Sequence, residues 1–484
     1  MNYKMIARFF AFILGIEAIL MLQSLGISIY DGTSRTTWAF VITVVATGAV
    51  AALMGFFSRR AEKGFYVREG LLCVGMGWIL MSLFGCLPFW ISGEIPAFVD
   101  ALFEIVSGFT TTGASILANS ETLTRASLYW RSFSHWLGGM GVLVFLLAVI
   151  PISRGNEGFT IHLMRAESTG PSVGKLVPKM RQTAAVLYIV YVVMTVINVI
   201  FLLLGNMDLF EALCTAFGTA GTGGFGVKAD SMGSYSPYIQ TVTAVFMLLF
   251  GINFSCFYLL LLRQVKSVLK DEELRLYLGL VIGATLLITL NLLGTFASVG
   301  ETILHAFFQV SSLITTTGFS TVNYDLWPSF SKAILLILMM IGSCAGSTGG
   351  GFKCIRLLLL FKNMRRNLSQ IIRPRRVRVI TVNGKTVDES LIATTNSYFS
   401  IYMVILLLSF VVVSLDGFSI ATNFSAVIAC FNNIGPGFEA VGPACNFSAY
   451  SVLSKLVLIL DMLAGRLEIY PILILFNYRT WKKR

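Results

Sequence analysis

Long apolar runs separated by short polar stretches repeat from one end of the 484-residue chain to the other. Two come first, at residues 6–29 and 37–57, joined by a polar turn around Asp31 and Gly32. The others fall at 70–92, 128–151, 183–205, 237–262, 276–294, 330–358, 391–414 and 451–477. Each is close to, or longer than, the roughly 20 residues a helix needs to cross a hydrocarbon core about 30 Å thick. Between successive pairs lie shorter apolar segments at 97–109, 208–219, 301–314 and 421–431, each followed by a loop rich in Gly, Thr or Asn. These are too short to cross, so each must enter the membrane and turn back.

This pattern predicts an all-α polytopic membrane protein. Two N-terminal spans (residues 1–68) precede four tandem units of span, pore helix, loop and span. The units cover 69–155, 156–270, 271–386 and 387–484, and the third also holds a Gly-rich segment and a basic loop. Two full spans per unit make every unit begin on the same side. Parallel repeats of this kind are related by an axis along the membrane normal, and four loops converging on one axis make a pore.

Composition agrees. Hydrophobic residues make up 56% and charged residues 12% of the chain, with a mean hydropathy of +0.79. Soluble domains carry about 25% charged residues, so a water-soluble enzyme is excluded. The net charge of +12 does not indicate nucleic acid, because Lys and Arg concentrate at 4–8, 59–68, 154–181, 263–275, 353–385 and 479–484, between the apolar runs. The positive-inside rule puts all six clusters, and both termini, in the cytoplasm. The first run lacks a small-residue cleavage site and reads as a retained span. The eight cysteines have no ligand spacing and read as small buried hydrophobes. His135, His162 and His305 are too far apart in sequence to suggest a metal cluster. With no HExxH or GxSG motif either, an intramembrane hydrolase is set aside.

The candidate chemistry lies in the four loops. They begin Thr110-Thr111-Thr112-Gly113, Ala220-Gly221-Thr222-Gly223, Thr315-Thr316-Thr317-Gly318 and Asn432-Asn433-Ile434-Gly435. Aligned this way, all four have glycine in the fourth position. Irregular backbone at membrane depth is tolerated only where it lines a cavity or is buried in protein. Carbonyls facing a shared axis replace the hydration shell of a cation, and turning them inward calls for backbone angles that glycine adopts most readily. The C-terminal ends of the short helices carry about half a negative charge and point at the same place. Asp100, Asp208 and Glu301 sit near their N-terminal starts, the favourable end for a carboxylate.

These four ordered motifs resemble the filter segments of the Trk/Ktr/HKT superfamily of potassium transporters, and the two extra N-terminal spans resemble its TrkH branch. The resemblance covers essentially the whole chain. It implies a K⁺-conducting subunit of the bacterial inner membrane with ten full spans and four pore helices. It also implies a homodimer, and a cytosolic nucleotide-binding regulatory partner of the TrkA type. K⁺ is the bound and transported ion, and the chain itself binds no nucleotide. Gly221-Thr222-Gly223-Gly224-Phe225-Gly226 matches GxGxxG only formally, since no βαβ unit surrounds it. Glycine at Gly113 resembles the K⁺-selective members, whereas sodium-passing relatives often carry serine there. The second loop departs from Thr-Thr-Thr-Gly. Permeation down the electrical gradient and H⁺- or Na⁺-coupled transport both fit this family, and the lack of carboxylates in the loops favours the first.

Two features suggest a gate. The stretch from Gly342 to Gly351, including Gly346, Ser347, Thr348, Gly349 and Gly350, interrupts the second span of the third unit and has no counterpart in the other units. Each helical glycine costs about 1 kcal/mol against alanine. A kink or close helix packing would explain it, but an intramembrane gating loop, as the resemblance implies, is the reading adopted. Arg466 lies inside the last apolar run near Asp461 and Glu468, where a guanidinium costs at least ~2.5 kcal/mol. Of an internal salt bridge to Asp461 and a positive barrier below the filter, the resemblance favours the barrier. Glu439 and Glu94 fall on the outer side, Glu439 either drawing cations to the mouth or simply solvated. Glu17 is assigned packing or partner contact. The basic 353–385 stretch reads equally as a lipid-contacting loop and as a docking site for the regulator.

Overall fold

A computed structural model describes residues 2–59, 67–141, 180–374 and 378–480, and among these the chain is helical apart from its loops and one short hairpin. The basic 154–181 stretch (but for the backbone of its last two residues), the end of the 128–151 run, the 155/156 unit boundary, Arg375, Arg376 and the C-terminal basic residues fall outside the described residues or their side chains. Helices α1 (Tyr3–Tyr30) and α2 (Ser34–Phe57) form an antiparallel pair. Their turn is closed by Ser28 Oγ, 2.8 Å from both Thr33 Oγ1 and Thr37 Oγ1, and by Gly32 at φ +69°.

Four units follow. The first has α3 (Val67–Gly85), α4 (Leu87–Ser92), the pore helix α5 (Phe98–Phe109) and α6 (Arg125–Gly139). The second has α7 (Met180–Leu204), the pore helix α8 (Leu209–Gly221), α9 (Pro237–Phe250) and α10 (Phe254–Leu261), trailed by α11 (Val265–Leu269). The third has α12 (Glu272–Asn291), the pore helix α13 (Val299–Ile314), α14 (Ser329–Ile341) and α15 (Cys354–Ile372). After a two-stranded hairpin, β1 (Thr381–Val382) with β2 (Lys385–Thr386), the fourth has α16 (Glu389–Val413), the pore helix α17 (Ile420–Phe431), α18 (Val452–Arg466) and α19 (Tyr470–Phe476).

Three pore helices start at a side-chain cap that satisfies a free backbone N–H. Asp208 accepts from Phe210 N at 3.0 Å, Ser298 from Glu301 N at 3.1 Å and Ser419 from Thr422 N at 3.0 Å. The outer faces of the spans expose Ile282, Leu286 and Leu290 on α12 and Leu407, Leu408 and Val411 on α16, apolar side chains suited to lipid rather than water.

The second span of each unit is not the continuous helix that the apolar runs predict. Among the described residues six helices are long and apolar enough to cross, or seven if the α9–α10 pair, bent by 90°, counts as one. The run at 330–358 is broken across 342–353, as expected, but 237–262 is also broken at 251–253 and 451–477 at 467–469. The Gly-rich interruption therefore has shorter counterparts. The reason is tertiary: Gly251 lies under loop 3, where a Cβ would fall 2.5 Å from Tyr277 Oη and 2.8 Å from Thr315 Cγ2. At the last break Glu468 and Ile469 take φ +59° and +66°, angles that sequence periodicity gives no hint of.

These second helices lie directly on the carbonyl ends of the pore helices. A Cβ on Gly138 would overlap Phe109 O, and one on Gly465 would overlap Phe431 O. By contrast nothing lies within 4 Å of a Cβ on Gly279 or Gly283, inside α12. Gly465→Ala should therefore lower the melting temperature of the purified protein by at least about 3 °C. Gly283→Ala, which gains about 0.5–1 kcal/mol of helix preference, should leave it unchanged or raise it. Equal effects in a thermal-shift assay would refute this account of the packing.

Candidate ion pathway and its loops

The four loops follow one backbone trace. Each has a non-glycine residue in the left-handed region, Thr111 (φ +54°), Thr222 (+55°), Thr316 (+57°) and Asn433 (+55°). Two residues later comes a glycine, Gly113 (+80°), Gly224 (+77°), Gly318 (+87°) or Gly435 (+103°). Between them Thr112, Gly223, Thr317 and Ile434 donate their N–H groups to Ser107, Gly218, Ser312 and Ala429, each at 2.8 Å. This corrects the register of loop 2 by one residue. The glycine equivalent to Gly113 is Gly224, not Gly223, and Ala220 belongs to the last turn of α8, because Gly221 carries that helix one residue further than the other three pore helices go.

The glycines interlock. A Cβ on Gly113 would overlap the carbonyl oxygen of Gly223, one on Gly224 that of Thr317, and one on Gly318 that of Ile434. A Cβ on Gly435 would lie 2.8 Å from Thr112 O. Loop 1 thus touches loop 2, loop 2 touches loop 3, loop 3 touches loop 4 and loop 4 returns to loop 1, always glycine against the third-position carbonyl. Four equivalent contacts that close on themselves define a ring about one axis.

Side chains brace the loops from outside. Thr110 and Thr112 share a hydroxyl hydrogen bond at 2.7 Å, as do Thr315 and Thr317 at 2.8 Å. In loop 4 the Asn432 amide bonds Tyr402 Oη at 2.9 Å, while Asn433 Nδ2 donates to Thr112 Oγ1 at 3.0 Å and Met462 O at 2.9 Å. The sequence reading missed a buried ion pair beside loops 1 and 2. Glu104 accepts from Arg131 Nε at 2.6 Å, Ser115 Oγ at 2.9 Å and Ile116 N at 3.0 Å. Arg131 in turn donates to Gly226 O at 3.1 Å and lies 3.4 Å over the Phe225 ring. A charge in a short pore helix and another within a predicted span were the available signal.

Below loops 3 and 4 lies the 342–353 segment. Gly342, Gly346 and Gly351 take φ +76°, +69° and +79°. Gly350 N donates to Thr316 Oγ1 at 2.7 Å, and Cβ atoms on Gly349 and Gly350 would meet Thr315 O at 2.8 Å and Asn432 O at 2.5 Å. Ser347 Oγ is 2.8 Å from Ser343 Oγ, and Thr348 Oγ1 donates to Phe250 O at 3.3 Å. Glu273 accepts from Ala345 N at 2.6 Å and Ile355 N at 3.1 Å, holding both ends of the segment against α12. Arg466 donates to Thr348 O at 2.8 Å, to Gly139 O at 2.7 Å and to Gly138 O, so it ties the segment to the end of α6. The neighbouring acids are engaged elsewhere, Asp461 with Ser409 Oγ at 2.7 Å and Glu468 with Arg356. Lys353 and Arg356, read from sequence as part of a solvent-facing basic cluster, are buried, and Lys353 Nζ donates to Gly349 O.

At the opposite mouth, Asp100 is paired with Lys455 at 2.6 Å and Glu301 lies 3.8 Å from His305. Glu94 accepts from Thr124 N at 3.1 Å and from Ser127, capping α6. Glu439 is exposed, and hydrogen bonds from Ser419 and Thr422 hold its carboxyl below the usual range. Glu17 is buried at the α1 face toward Gly85, with no hydrogen-bond partner among the described residues.

Comparison with known proteins gives this arrangement a lineage. The chain is 36% identical over 460 residues to the Trk system potassium uptake protein TrkH of Escherichia coli K12, covering 94% of this chain and 93% of that one. It is 32% identical over 487 residues to the Trk system potassium uptake protein TrkG of the same organism, covering 99% of each. The fold superimposes on the crystal structure of the potassium transporter TrkH from Vibrio parahaemolyticus with a TM-score of 0.87, at 32% identity and over 100% of both chains. The sequence also matches, over residues 36–482, the family described as TrkH, cation transport protein, and the chain belongs to that family.

Proposed function

We propose that this chain is the membrane subunit of a K⁺ uptake system, and that K⁺ permeates through the ring formed by loops 1 to 4. The observation that carries this reading is the closure of that ring. Four glycines abut four neighbouring carbonyls, and the C-terminal ends of four pore helices adjoin it, each contributing partial negative charge. Backbone oxygens then stand in for water around a dehydrated K⁺. In the corrected register the filter residues are Thr110 to Gly113, Gly221 to Gly224, Thr315 to Gly318 and Asn432 to Gly435. The loops contain no carboxylate to couple a proton, so the ion moves down the electrical gradient, a driving force of about 2.3 kcal/mol per 100 mV.

The 342–353 segment and Arg466 form the gate in this reading. The segment closes against Thr316 from below, and the guanidinium holds it there through Thr348 O. A fixed positive charge within about 4 Å of a cation costs it about 4 kcal/mol at an effective dielectric constant near 20. Opening must therefore move both the segment and Arg466. The basic clusters, by the positive-inside rule, support a cytoplasmic side for the termini and the gate, and the likeness to Trk proteins supports a bacterial inner membrane. The four units are taken as 69–155, 156–270, 271–386 and 387–484, following the two N-terminal spans. A homodimer regulated by a cytosolic nucleotide-binding subunit of the TrkA type completes the proposed system, with the exposed part of the basic 353–385 stretch as its docking surface.

The test is ⁸⁶Rb⁺ uptake into liposomes holding the purified chain, competed with K⁺, Na⁺ and Li⁺. K⁺ should inhibit and Na⁺ and Li⁺ should not; equal inhibition by Na⁺ would sink the K⁺ assignment. Gly113→Ser puts a side chain at φ +80° onto the Gly223 carbonyl. It should lower the K⁺ preference over Na⁺ at least about tenfold, equivalent to ~1.4 kcal/mol. Arg466→Ala removes the barrier and the tie to Thr348 and should raise uptake by the chain alone about tenfold or more, on the same scale of ~1.4 kcal/mol. Unchanged flux from a monodisperse Arg466→Ala protein would show that the arginine is structural.

A further inference from the structure

Loop 2 is braced differently from the other three, and the difference leads to a histidine in the preceding unit. The first and third positions of loops 1 and 3 are threonines whose hydroxyls bond each other. In the corrected register those positions in loop 2 are Gly221 and Gly223, which have no side chain to do this. The space is already filled. A Cβ on Gly223 would overlap Cγ and Nδ1 of the His135 ring, and one on Gly221 would overlap the His135 backbone carbonyl.

His135 is fully buried and uses both ring nitrogens. Nδ1 lies 2.8 Å from Gly108 O in the last turn of α5. A carbonyl only accepts, so Nδ1 carries the proton. Nε2 is then the acceptor for the backbone N–H of Phe225, at 3.3 Å. These two bonds fix one neutral tautomer, and the ring lies 4.1 Å from the Phe225 ring, centroid to centroid. One helical turn away on the same face of α6, Arg131 reaches Gly226 O and lies over the Phe225 ring. Residues four apart on a helix share a face, so α6 presents two consecutive struts to the chain leaving loop 2. The far side of Gly223 matters most. Its carbonyl oxygen is the one that Gly113 packs against, so His135 stands directly behind the contact between loops 1 and 2.

We infer that His135 is a positioning residue for the cation site, taking in loop 2 the place of the threonine pair and setting the separation of loops 1 and 2. The inference rests on the reading of the four loops as the filter. It explains why loop 2 departs from Thr-Thr-Thr-Gly: two threonines and an imidazole do not fit in the same space.

The test uses full-length purified protein and two readouts. One is Na⁺ against K⁺ inhibition of ⁸⁶Rb⁺ uptake into liposomes; the other, independent of flux, is the rise in melting temperature in KCl over that in NaCl. His135→Ala removes two hydrogen bonds behind loop 2 and should cut the K⁺ preference in uptake about tenfold and shrink the excess rise in melting temperature in KCl over NaCl. Combining it with Gly223→Thr, which refills the space as loops 1 and 3 do, should restore much of the preference. Gly223→Thr alone, facing the intact imidazole, should be the most damaging variant. A folded His135→Ala protein with wild-type preference overturns the inference, as does Gly223→Thr being equally tolerated with and without His135. If His135→Ala does not fold, His135→Gln and His135→Asn decide. Glutamine keeps a donor and an acceptor at the reach of the ring and should preserve the preference, whereas asparagine reproduces only the Nδ1 position and should lose it. Equal preference in those two refutes the role. A wild-type chain without K⁺ preference refutes the filter reading instead, and is distinguished from these outcomes by the wild-type measurement.

Discussion

Four glycines placed where a Cβ would collide with the next loop's carbonyl are the constraint around which this molecule is organised. Gly113, Gly224, Gly318 and Gly435 each meet the third-position carbonyl of the neighbouring loop, and each also has positive φ. The two demands reinforce each other. Positive φ admits glycine readily, and the missing side chain lets four irregular backbones come close enough to enclose an axis. Irregular backbone at this depth requires polar groups to be met from within the protein, and the rest of the structure supplies that support.

The support is not fourfold. Loops 1 and 3 use threonine pairs, loop 4 uses Asn432 with Tyr402 and Asn433 with Thr112, and loop 2 is backed by His135 and Arg131 from unit 1. The ring is symmetric where backbone meets backbone and asymmetric one layer out. The Glu104–Arg131 pair belongs to that outer layer, and its value lies in orientation. A buried ion pair is weak evidence for net stability, but this one fixes Ser115, Ile116 and Gly226, the residues just beyond loops 1 and 2.

Beneath the ring the second helices stop short, and their breaks make room for the 342–353 segment and Arg466. The three carbonyls that Arg466 bonds come from the end of α6 and from Thr348, so one side chain spans units 1, 3 and 4. Charge-assisted bonds to carbonyls are stronger than neutral ones. These bonds tie the 342–353 segment to the end of α6.

The apolar pattern alone determined the membrane class, the two N-terminal helices, the four short helices and the order of the units, because burial in lipid is a property of composition over about 20 residues. It also located the loops and three of the four ring glycines, since glycine clusters at membrane depth stand out in any sequence. The register of loop 2 was not legible: three candidate glycines, Gly221, Gly223 and Gly224, read alike until the backbone bond from Gly223 to Gly218 fixes them. The partners of Arg466 and the burial of Lys353 were likewise hidden, since charge near an apolar run carries no information about which carbonyls face it. The breaks at 251–253 and 467–469 depend on what lies against them. His135 illustrates the general reason. Its sequence neighbours mark it as one of three scattered histidines, whereas its contacts are to Gly108, in the last turn of α5, and to Phe225, just beyond loop 2, and only close packing brings those three together.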